Sequence, residues 1–498
     1  MLRAPGIRAG NDDAVYLFLS RSLRSLEYRE MFFTDDPWHS KYPPGYPLLL
    51  AAVATIAGES TDAFVVMNII LSVGALILIF DVVRRLWSPE LALMVLMMGA
   101  VNFALVDNAG KHITETPYMA LTAVALWLLV VRPNEGRSAA AAAGVAILAA
   151  LTRSIGIILL GAMFVWWVLQ RQFRRAVVFG TLSALTVGAW LAWTVVAPQR
   201  SWENSYVGDA VAAITGGGNL SLTARLSKNV FKYVGKGIPA HLGVPTIQGT
   251  TIDNLFWLVI IVGCLGIGAW TLWARWRLMF LYMGFYLAFL VFWRYPVSRF
   301  LDPILPLLIV TLLAGAMQVG MRVVRRASWA LPLVLAVTIG ATSASQLLAE
   351  WQKVRLCDRS RPLESHACFT PDQLAMFAAA TYARTHTSRD ARFVFFDKEA
   401  MFSYYSEREM VADSYVLPTK SEDMVEWLRR AGVDYIAVGT RTAGEVRLGK
   451  ALLAICDRLE TVATFPPQAA IFRVKTPAGS NPDSQACTLL SSFQARRS

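Results

Sequence analysis

The feature that most constrains this chain is a series of apolar stretches that recurs from residue 62 to about residue 348. A helix needs about 20 largely apolar residues to cross the hydrocarbon core of a bilayer. The sequence is 55% hydrophobic and only 16% charged, which a soluble domain of this size does not show. It therefore predicts a mainly α, polytopic helical membrane protein. About ten spans are expected, at residues 62–83, 90–107, 117–132, 138–152, 155–169, 176–197, 253–274, 278–293, 300–319 and 328–348.

Basic residues gather in alternate turns between these spans. Short cytoplasmic loops are enriched in Lys and Arg, so these turns should face the cytoplasm of the inner (plasma) membrane. They hold Arg84, Arg85, Arg132, Arg137, Arg171, Arg174, Arg175, Arg275, Arg277, Arg322, Arg325 and Arg326. The extracytoplasmic (periplasmic) side then receives residues 1–61, the turns at Glu115, Arg153 and 294–299, the loop 198–252 and the chain after residue 348. This placement accounts for the net charge of +12 without a nucleic-acid partner.

Two segments fit this topology less simply. Residues 138–169 hold two spans of only about 15 residues, which could instead form one interrupted hairpin. Residues 1–61 are placed outside although no signal peptide or anchor helix precedes them. We expect that a first transmembrane helix is missing from this reading of the gene. Unaided translocation of a short N-terminal tail is the alternative.

The composition changes after residue 348, which predicts a membrane domain, 1–348, followed by an extracytoplasmic soluble domain, 349–498. A helical pattern at 371–386 precedes an apolar strand at 392–396. The amphipathic stretch 421–431 likewise precedes a Gly-bounded strand at 432–439. This alternation predicts a small α/β sheet. Such a domain would either roof the membrane site or serve as a structural cap.

Four of the five cysteines lie in the C-terminal domain, and the fifth, Cys264, lies in an apolar span. The four are Cys357, Cys368, Cys456 and Cys487. An even set in an oxidising compartment permits two disulfides, whose connectivity the spacing does not decide. Four free thiols are the alternative.

The candidate functional residues lie in the predicted outer loops, where ionisable groups beside a membrane are costly to keep. In the first loop, Asp12 and Asp13 open a helical stretch at 14–26, and the segment 41–47 reads Lys-Tyr-Pro-Pro-Gly-Tyr-Pro. The two acids are candidate catalytic groups, or a cap with favourable charges at the helix N-terminus. Tyrosines of a substrate loop are expected at Tyr16, Tyr42 and Tyr46, where aromatic side chains also suit the membrane interface.

The second outer turn carries Lys111, His112 and Glu115. Glu115 begins a span, where the helix N-terminus favours an acid, and it is also a candidate catalytic group. His112 and Glu115 could join Asp12 as ligands of a divalent metal cation. The sequence therefore allows a divalent metal cofactor but does not require one.

Three arginines mark other outer turns. Arg153 interrupts an apolar stretch, while Arg294 and Arg299 bracket a Tyr-Pro pair. Snorkelling to the interface is the structural explanation for each. Acids and bases nevertheless converge on one face from several turns, which favours a functional site in which these arginines and Lys41 bind phosphate.

The order of these motifs resembles the GT-C membrane glycosyltransferases, in particular bacterial relatives of protein mannosyltransferases and of the aminoarabinose or galacturonic-acid transferases of lipopolysaccharide. The resemblance runs along nearly the whole chain. It is carried by Asp12-Asp13-Ala14-Val15-Tyr16, Lys41 to Pro47, Thr114-Glu115-Thr116-Pro117, Leu151-Thr152-Arg153 and Arg299 to Pro306.

The resemblance implies an enzyme that transfers a sugar from a polyprenyl-phosphate donor to an extracytoplasmic acceptor, which would be a hydroxyl of a protein, of lipid A or of a glycan. An acid of the first outer loop is the family's expected base, a position that Asp12 matches best and Asp13 next. Lys41, Arg153 and Arg299 would neutralise the departing phosphate. One base with back-side attack implies inversion at the sugar carbon.

Two other classes of protein compete with this interpretation. A transporter or flippase of lipid-linked sugars would bind phosphate with the same arginines, but transporters often show internal repeats and midspan polar residues. A scaffold or sensor would not need an acidic pair opposite three cationic turns.

Overall fold

The structure is a computed structural model. It describes residues 10–132, 135–197, 208, 222–244, 251–293, 296–323, 328–357, 362–395, 398–412, 417–418, 420–439, 446–466, 469–475 and 484–495. Arg294, Arg325 and Arg326 lie outside these residues.

The N-terminal part of the chain is helical throughout. Its α-helices are α1 (Asn11–Arg24), α2 (Gly45–Ala57), α3 (Thr61–Leu86), α4 (Pro89–Ala100), α5 (Phe103–Ala109), α6 (Glu115–Val131), α7 (Gly136–Thr152), α8 (Ile157–Leu169), α9 (Phe173–Val196), α10 (Leu222–Val230), α11 (Ile238–Leu242), α12 (Thr251–Leu272), α13 (Arg277–Phe292), α14 (Leu305–Val323) and α15 (Ala330–Arg355). Shorter helical turns occupy Ser154–Gly156, Phe231–Gly237 and Ser298–Ile304.

Each of the ten predicted spans is helical. Within the described residues, five helices are long and apolar enough to cross a membrane, at Thr61–Leu86, Phe173–Val196, Leu255–Leu272, Ser298–Val323 and Ala330–Arg355. The predicted span 90–107 is instead two helices, α4 and α5, bent by 57° at a short break, and together they would form a sixth. The remaining apolar helices have 10–17 residues. A polytopic helical membrane architecture is therefore confirmed.

The bundle is centred on α14, which is buried along nearly its whole length. It packs most closely on α12 where two glycines meet. A Cβ atom on Gly268 would lie 1.9 Å from the carbonyl oxygen of Thr311, and one on Gly315 would lie 1.8 Å from that of Cys264. Small residues at such a crossing allow two apolar helices to approach to backbone contact, which is how helices associate in lipid.

The predicted helix at 14–26 is α1, which begins three residues earlier than expected. Its N-cap residue is Gly10, whose φ of 98° suits glycine, and no side chain caps the helix. Asp12 and Asp13 lie in the first turn, where the helix dipole favours a negative charge. The two acids thus have the favourable position that the sequence indicated, although neither is the cap.

The C-terminal part combines helices with one small sheet, which confirms the predicted α/β character. Its elements are α16 (Pro371–His386), β1 (Phe393–Phe395), α17 (Glu399–Ser406), α18 (Ser421–Arg430), β2 (Tyr435–Val438), α19 (Val446–Ala454), β3 (Leu459–Phe465), β4 (Ala469–Val474) and α20 (Ser484–Ala495). The strand order is β1-β2-β4-β3. The two predicted strands, β1 and β2, pair in parallel, and an antiparallel hairpin of β3 and β4 extends the sheet beside β2.

Two disulfides join elements of this part. Cys357, at the end of α15, bonds to Cys368, and Cys456 bonds to Cys487 of α20. Cys264 is buried and unpaired.

The C-terminal part and the first loop share one hydrophobic core. Phe18 and Phe32 from the first loop are packed in the same cluster as Phe377, Phe393 and Phe402. The backbone joins them as well, because Met410 donates to the carbonyl of Phe32 and accepts from the amide of Thr34. The side chain of Asn11 accepts hydrogen bonds from the first amides of α17. The C-terminal part therefore packs directly on the helix that carries Asp12.

Candidate active site

A hydrogen-bonded ion pair between Asp12 and Arg299 lies at the centre of the candidate site. The other carboxylate oxygen of Asp12 accepts from the hydroxyl of Tyr42 at 2.9 Å. Burial raises the pKa of Asp12, but Arg299, Tyr42 and Lys41 lower it by more, so its net pKa lies below the ordinary value. Asp12 is therefore ionised at neutral pH, as a group that accepts a proton must be.

Glu115 connects this pair to a deeper arginine. Its Oε1 lies 2.8 Å from a guanidinium nitrogen of Arg153 and 3.3 Å from Nε of Arg299. Glu115 is 3% exposed and Arg153 is 10% exposed, whereas Arg299 is 33% exposed. One buried carboxylate thus holds two guanidinium groups side by side, and Arg299 is the more accessible of the two. An isolated buried charge would be costly, and this pairing offsets the cost.

The turn Ser298–Ile304 fixes the position of Arg299. The hydroxyl of Tyr286 donates to the carbonyl of Phe300 at 2.8 Å, and Pro303 lies inside the turn. The ring of Phe300 in turn faces the guanidinium of Arg153, with 4.9 Å between the guanidinium carbon and the ring centroid. This turn therefore carries Arg299 and also contacts Arg153 through the ring of Phe300.

Arg153 owes its position to the end of a helix. It is the C-cap residue of α7, with extended backbone angles, and its side chain also donates to the hydroxyl of Thr114 at 3.2 Å. The start of α2 packs against this end, since a Cβ atom on Gly45 would lie 2.7 Å from the carbonyl of Leu151. Only glycine allows so close an approach. The motifs at 41–47 and 151–153 are thus brought together by backbone contact.

These groups surround a small cavity of about 50 Å³. Its lining consists of Asp12, Tyr16, Tyr42, Pro43, Ile113, Thr114, Glu115, Thr152, Arg153, Ser154, Arg299 and Phe300. The lining includes residues from all five of the motifs on which the family resemblance rests. The acids and bases predicted to converge on one face do converge here.

Asp13 lies apart from the cavity. It is fully buried, and one of its carboxylate oxygens lies 3.7 Å from Nδ1 of His112. The other ring nitrogen of His112 donates to the carbonyl of Thr61 at 3.2 Å. The adjacent acids of α1 therefore have different partners, and His112 faces Asp13 rather than Asp12.

The residues suggested for a metal site do not form one cluster. No group of three His, Cys, Asp or Glu side chains that could hold a metal ion occurs among the described residues. Asp12 and Glu115 already have guanidinium partners, and His112 is directed elsewhere. This donor set does not fit a divalent cation held by Asp12, His112 and Glu115.

Lys41 and the three tyrosines lie around Asp12. The ammonium of Lys41 lies 5.9 Å from the ring centroid of Tyr42. The ring of Tyr16 packs between those of Tyr42 and Tyr46, with centroid distances of 4.9 and 5.1 Å. Tyr16 and Tyr42 line the cavity, whereas Tyr46 is fully buried and packs behind Tyr16.

A further buried acid, Asp302, was not among the candidate residues predicted from the sequence. Asn108 donates to its Oδ2, and Nε2 of His241 lies 3.2 Å from its Oδ1. His241 itself donates from Nδ1 to the carbonyl of Gly237 at 2.9 Å. Asp302 lies three residues after Arg299, at the start of an apolar stretch, and an acid in such a place is a functional candidate by default. That signal was present in the sequence.

Comparison with known families matches part of the chain. Residues 41–202 match the family described as dolichyl-phosphate-mannose-protein mannosyltransferase, a range that includes Lys41, Glu115 and Arg153 but neither Asp12 nor Arg299. Residues 375–432 match a domain of unknown function. A comparison with curated protein sequences found no match.

Comparison with solved structures covers almost the whole chain. ArnT from Cupriavidus metallidurans bound to undecaprenyl phosphate is similar over 96% of each chain, with a TM-score of 0.60 and 12% identity. The Archaeoglobus fulgidus oligosaccharyltransferase in complex with Zn and sulfate covers 93% of this chain and 71% of its own, with a TM-score of 0.57 and 14% identity. The archaeal oligosaccharyltransferase AglB from Archaeoglobus fulgidus, in complex with an inhibitory peptide and a dolichol-phosphate, covers 95% and 71%, with a TM-score of 0.54 and 11% identity. Similarity at such low identity concerns the fold, and the chain shares the fold of these solved structures.

Proposed function

We propose that this chain is a membrane glycosyltransferase that moves a sugar from a polyprenyl-phosphate donor to an acceptor hydroxyl on the extracytoplasmic side. One observation carries the proposal. An ionised carboxylate, Asp12, lies beside two guanidinium groups that a buried acid, Glu115, holds together. This arrangement supplies both the base and the phosphate-binding cations that the reaction needs, and it occurs within a GT-C fold.

Arg299 and Arg153 would bind the donor phosphate. Guanidinium groups form charge-assisted hydrogen bonds with phosphate and stabilise the negative charge that develops as it departs. Arg299 is the accessible one, so it would change partner from Asp12 to the phosphate when the donor binds. Lys41, which is half-buried close to Asp12, adds a third positive charge to the same region. Arg294 is proposed as a further contact on sequence grounds alone.

Asp12 would act as the general base. The bond between the anomeric carbon and the phosphate oxygen breaks with its electron pair going to the phosphate, and the acceptor oxygen forms the new bond to that carbon. The proton of the acceptor hydroxyl passes to Asp12. Asp12 lines the cavity and Asp13 does not, which supports Asp12 over its neighbour. A single base opposite the leaving group implies inversion of configuration, and retained configuration in the product would contradict this step.

Glu115 would position the arginines rather than exchange protons, because both of its partners are cations and it is 3% exposed. No metal enters this scheme, because Asp12 and Glu115 are paired with arginines and the third suggested ligand, His112, faces Asp13. Undecaprenyl phosphate and dolichol phosphate, which the solved relatives bind, support a polyprenyl-phosphate donor here. The transferred sugar would be a hexose or a pentose, and the acceptor would be a hydroxyl of a protein, of lipid A or of a glycan. The transfer experiment below is designed to identify the donor.

The test is transfer from a panel of radiolabelled polyprenyl-phosphate sugars in membranes that contain the full chain. Asp12→Asn should abolish transfer, while Asp107→Asn should not. Asp107 is a matched control because, within the described part of the chain, it pairs with Lys111 and does not line the cavity. Release of polyprenyl phosphate should accompany transfer in equal amount. Movement of the donor across vesicles without any release, from folded protein, would instead show a flippase and overturn the proposal.

A further inference from the structure

A second and larger cavity lies at the other end of the helical bundle. Its volume is about 480 Å³, within the range of ligand pockets. Its walls come from α3, α6, α8, α13, α14 and the turn between α12 and α13. The lining residues are Ile79, Val82, Leu86, Ala123, Leu126, Leu129, Val130, Trp166, Gln170, Ala274, Arg275, Trp276, Arg277, Leu278, Met279 and Leu307.

Helix α6 separates this cavity from the candidate active site. Glu115 begins α6, and the cavity is lined by residues from Ala123 to Val130 near its other end. At a rise of about 1.5 Å per residue, Leu126 and Val130 lie about 17 and 22 Å further along the helix. In the predicted topology, where α6 crosses the membrane, the cavity therefore lies at the leaflet opposite the site that contains Asp12.

The rim of the cavity is cationic. Arg275 and Arg277 are both exposed, and neither has an acidic partner among the residues that the structure describes. The guanidinium of Arg275 lies over the ring of Trp87, with 5.6 Å to its centroid. By contrast, Arg84 and Arg85 on the same end of α3 are both paired with Asp81. The two arginines at the cavity thus have free donors for an anion.

One residue of the cavity lining carries an unused hydrogen-bond donor. Trp276 is 6% exposed, and its indole N–H has no partner within the described part of the chain. A buried polar group without a partner is costly. The remaining lining inside the rim is almost entirely aliphatic. An occupant with apolar chains and an oxygen-rich anionic head would satisfy all three features.

We propose that this cavity binds one anionic diacyl phospholipid of the opposite leaflet. The phosphate would lie between Arg275 and Arg277, an ester or phosphate oxygen would accept from Trp276, and one acyl chain would fill the aliphatic interior. Basic pockets between transmembrane helices recognise anionic lipid head groups in this way. A polyprenyl phosphate has the same charge and apolar tail, but its phosphate at this rim would lie a bilayer leaflet away from Asp12. The inference does not depend on the proposed transferase activity.

Native mass spectrometry of the delipidated full chain in detergent tests the proposal. Phosphatidylglycerol and phosphatidylcholine with identical acyl chains are added separately, and polyprenyl phosphate forms a third arm. Phosphatidylglycerol should be retained most strongly. The double variant Arg275→Gln, Arg277→Gln should lose about 10- to 30-fold in its retention, given the usual contribution of a basic residue beside an anionic head group.

The matched control is Arg174→Gln, Arg322→Gln, which removes two exposed arginines from the same predicted side but not from the cavity. It should retain phosphatidylglycerol as the unaltered protein does. Trp276→Phe should weaken phosphatidylglycerol by several-fold while leaving the melting temperature of the lipid-free protein unchanged. Equal retention of both phospholipids, equal loss in the control, or preferential retention of polyprenyl phosphate that the double variant abolishes would each overturn the proposal.

Discussion

Asp12 and Arg299 are 287 residues apart in the chain and form a hydrogen-bonded ion pair at the cavity of the candidate active site. The pair links the first loop to the last part of the helical bundle. An oxygen of Glu115, on α6, lies 3.3 Å from Nε of the same guanidinium, so three distant segments meet at one group. The chemistry proposed for the site depends on this meeting, and it leads to specific expectations.

Replacing Asp12 by Asn should reduce transfer by about 10²- to 10⁴-fold, the usual contribution of a general base. The loss should fall mainly on kcat, because the amide keeps the shape of the carboxylate and its contact with Tyr42. Asp13→Asn should change kcat far less, because Asp13 faces His112 away from the cavity. Initial rates at saturating donor distinguish the two. An equal loss of kcat in both variants, with both proteins folded, would contradict the assignment of Asp12.

Replacing Arg299 by Gln should move the acidic limb of the kcat/KM profile to higher pH. Burial raises the pKa of Asp12, and Arg299 contributes most among the groups that together bring it below its ordinary value. Without that charge the folded-state pKa rises, and the base is protonated at a higher pH. The limb reports the free enzyme, in which the pair is present.

Arg21→Gln is the matched control for this profile. Arg21 lies on the same helix, α1, and pairs with Glu59 instead. Its removal should leave the limb where it is in the unaltered protein. A limb that does not move in Arg299→Gln, or that moves equally in Arg21→Gln, would show that Asp12 is not the titrating group.

Much of this architecture could be predicted from the sequence, because the bilayer imposes a simple rule on apolar segments. Each of the ten predicted spans is helical, and the two predicted strands pair in parallel. The break at Val101 and Asn102, which bends the span 90–107, was missed because both sides of it are equally apolar and Asn102 caps α5 from within that run. The β3–β4 hairpin was also not predicted, because β3 interleaves polar and apolar residues and lacks the apolar run that marks β1 and β2.

The site was predictable in its members but not in its pairing. Spacing placed Asp12, Glu115, Arg153 and Arg299 on one face, yet nothing local to Glu115 indicates that it holds both arginines. Such contacts depend on how α6, α7 and the turn at Ser298–Ile304 pack. For the same reason the sequence suggested His112 as a metal ligand together with Asp12 and Glu115, whereas in the structure His112 faces Asp13.

Replacing Glu115 by Gln should destabilise the fold by about 3–5 kcal/mol, the typical cost of leaving one member of a buried ion pair without its partner. Arg153 would be the uncompensated group, since it is 10% exposed and has Glu115 as its carboxylate partner. Thermal unfolding in detergent measures the change. Glu426→Gln, which removes an exposed partner of Arg429 and Arg430, should give no measurable change. Unfolding temperatures that agree within error for Glu115→Gln and the unaltered protein would contradict the buried pair.

Thiol labelling tests the two disulfides. In unfolded protein without reductant, only Cys264 should react, because Cys357 is joined to Cys368 and Cys456 to Cys487. With reductant all five cysteines should react. Replacing Cys357 alone by Ser should expose exactly one further thiol, that of Cys368. Labelling of Cys456 or Cys487 in that variant would mean a different connectivity.

Replacing Asn11 by Ala should loosen the contact between α1 and the C-terminal part of the chain. The Asn11 side chain accepts from the amides of Ala400 and Met401 at 2.9 and 3.3 Å and donates to Glu399 at 2.7 Å. Loss of these bonds leaves the first amides of α17 without an acceptor, so their hydrogen exchange should accelerate. Asp12 follows Asn11 directly in the first turn of α1, and a less fixed turn should also lower transfer, by about 10-fold if the position of Asp12 relaxes by a fraction of an ångström.

The C-terminal part would then have a definite role, because its contact with the Asn11 side chain holds the base-carrying turn in place. Asp423→Asn in the first turn of α18 is a matched control, since Asp423 is exposed and α18 packs in a different hydrophobic cluster from α1. Exchange at 399–406 and transfer should both match the unaltered protein in that control. Faster exchange in Asn11→Ala without any loss of transfer would show that the C-terminal part caps the bundle without supporting the chemistry. Unchanged exchange would show that the packing of Phe18, Phe32 and Phe402 fixes α17 by itself.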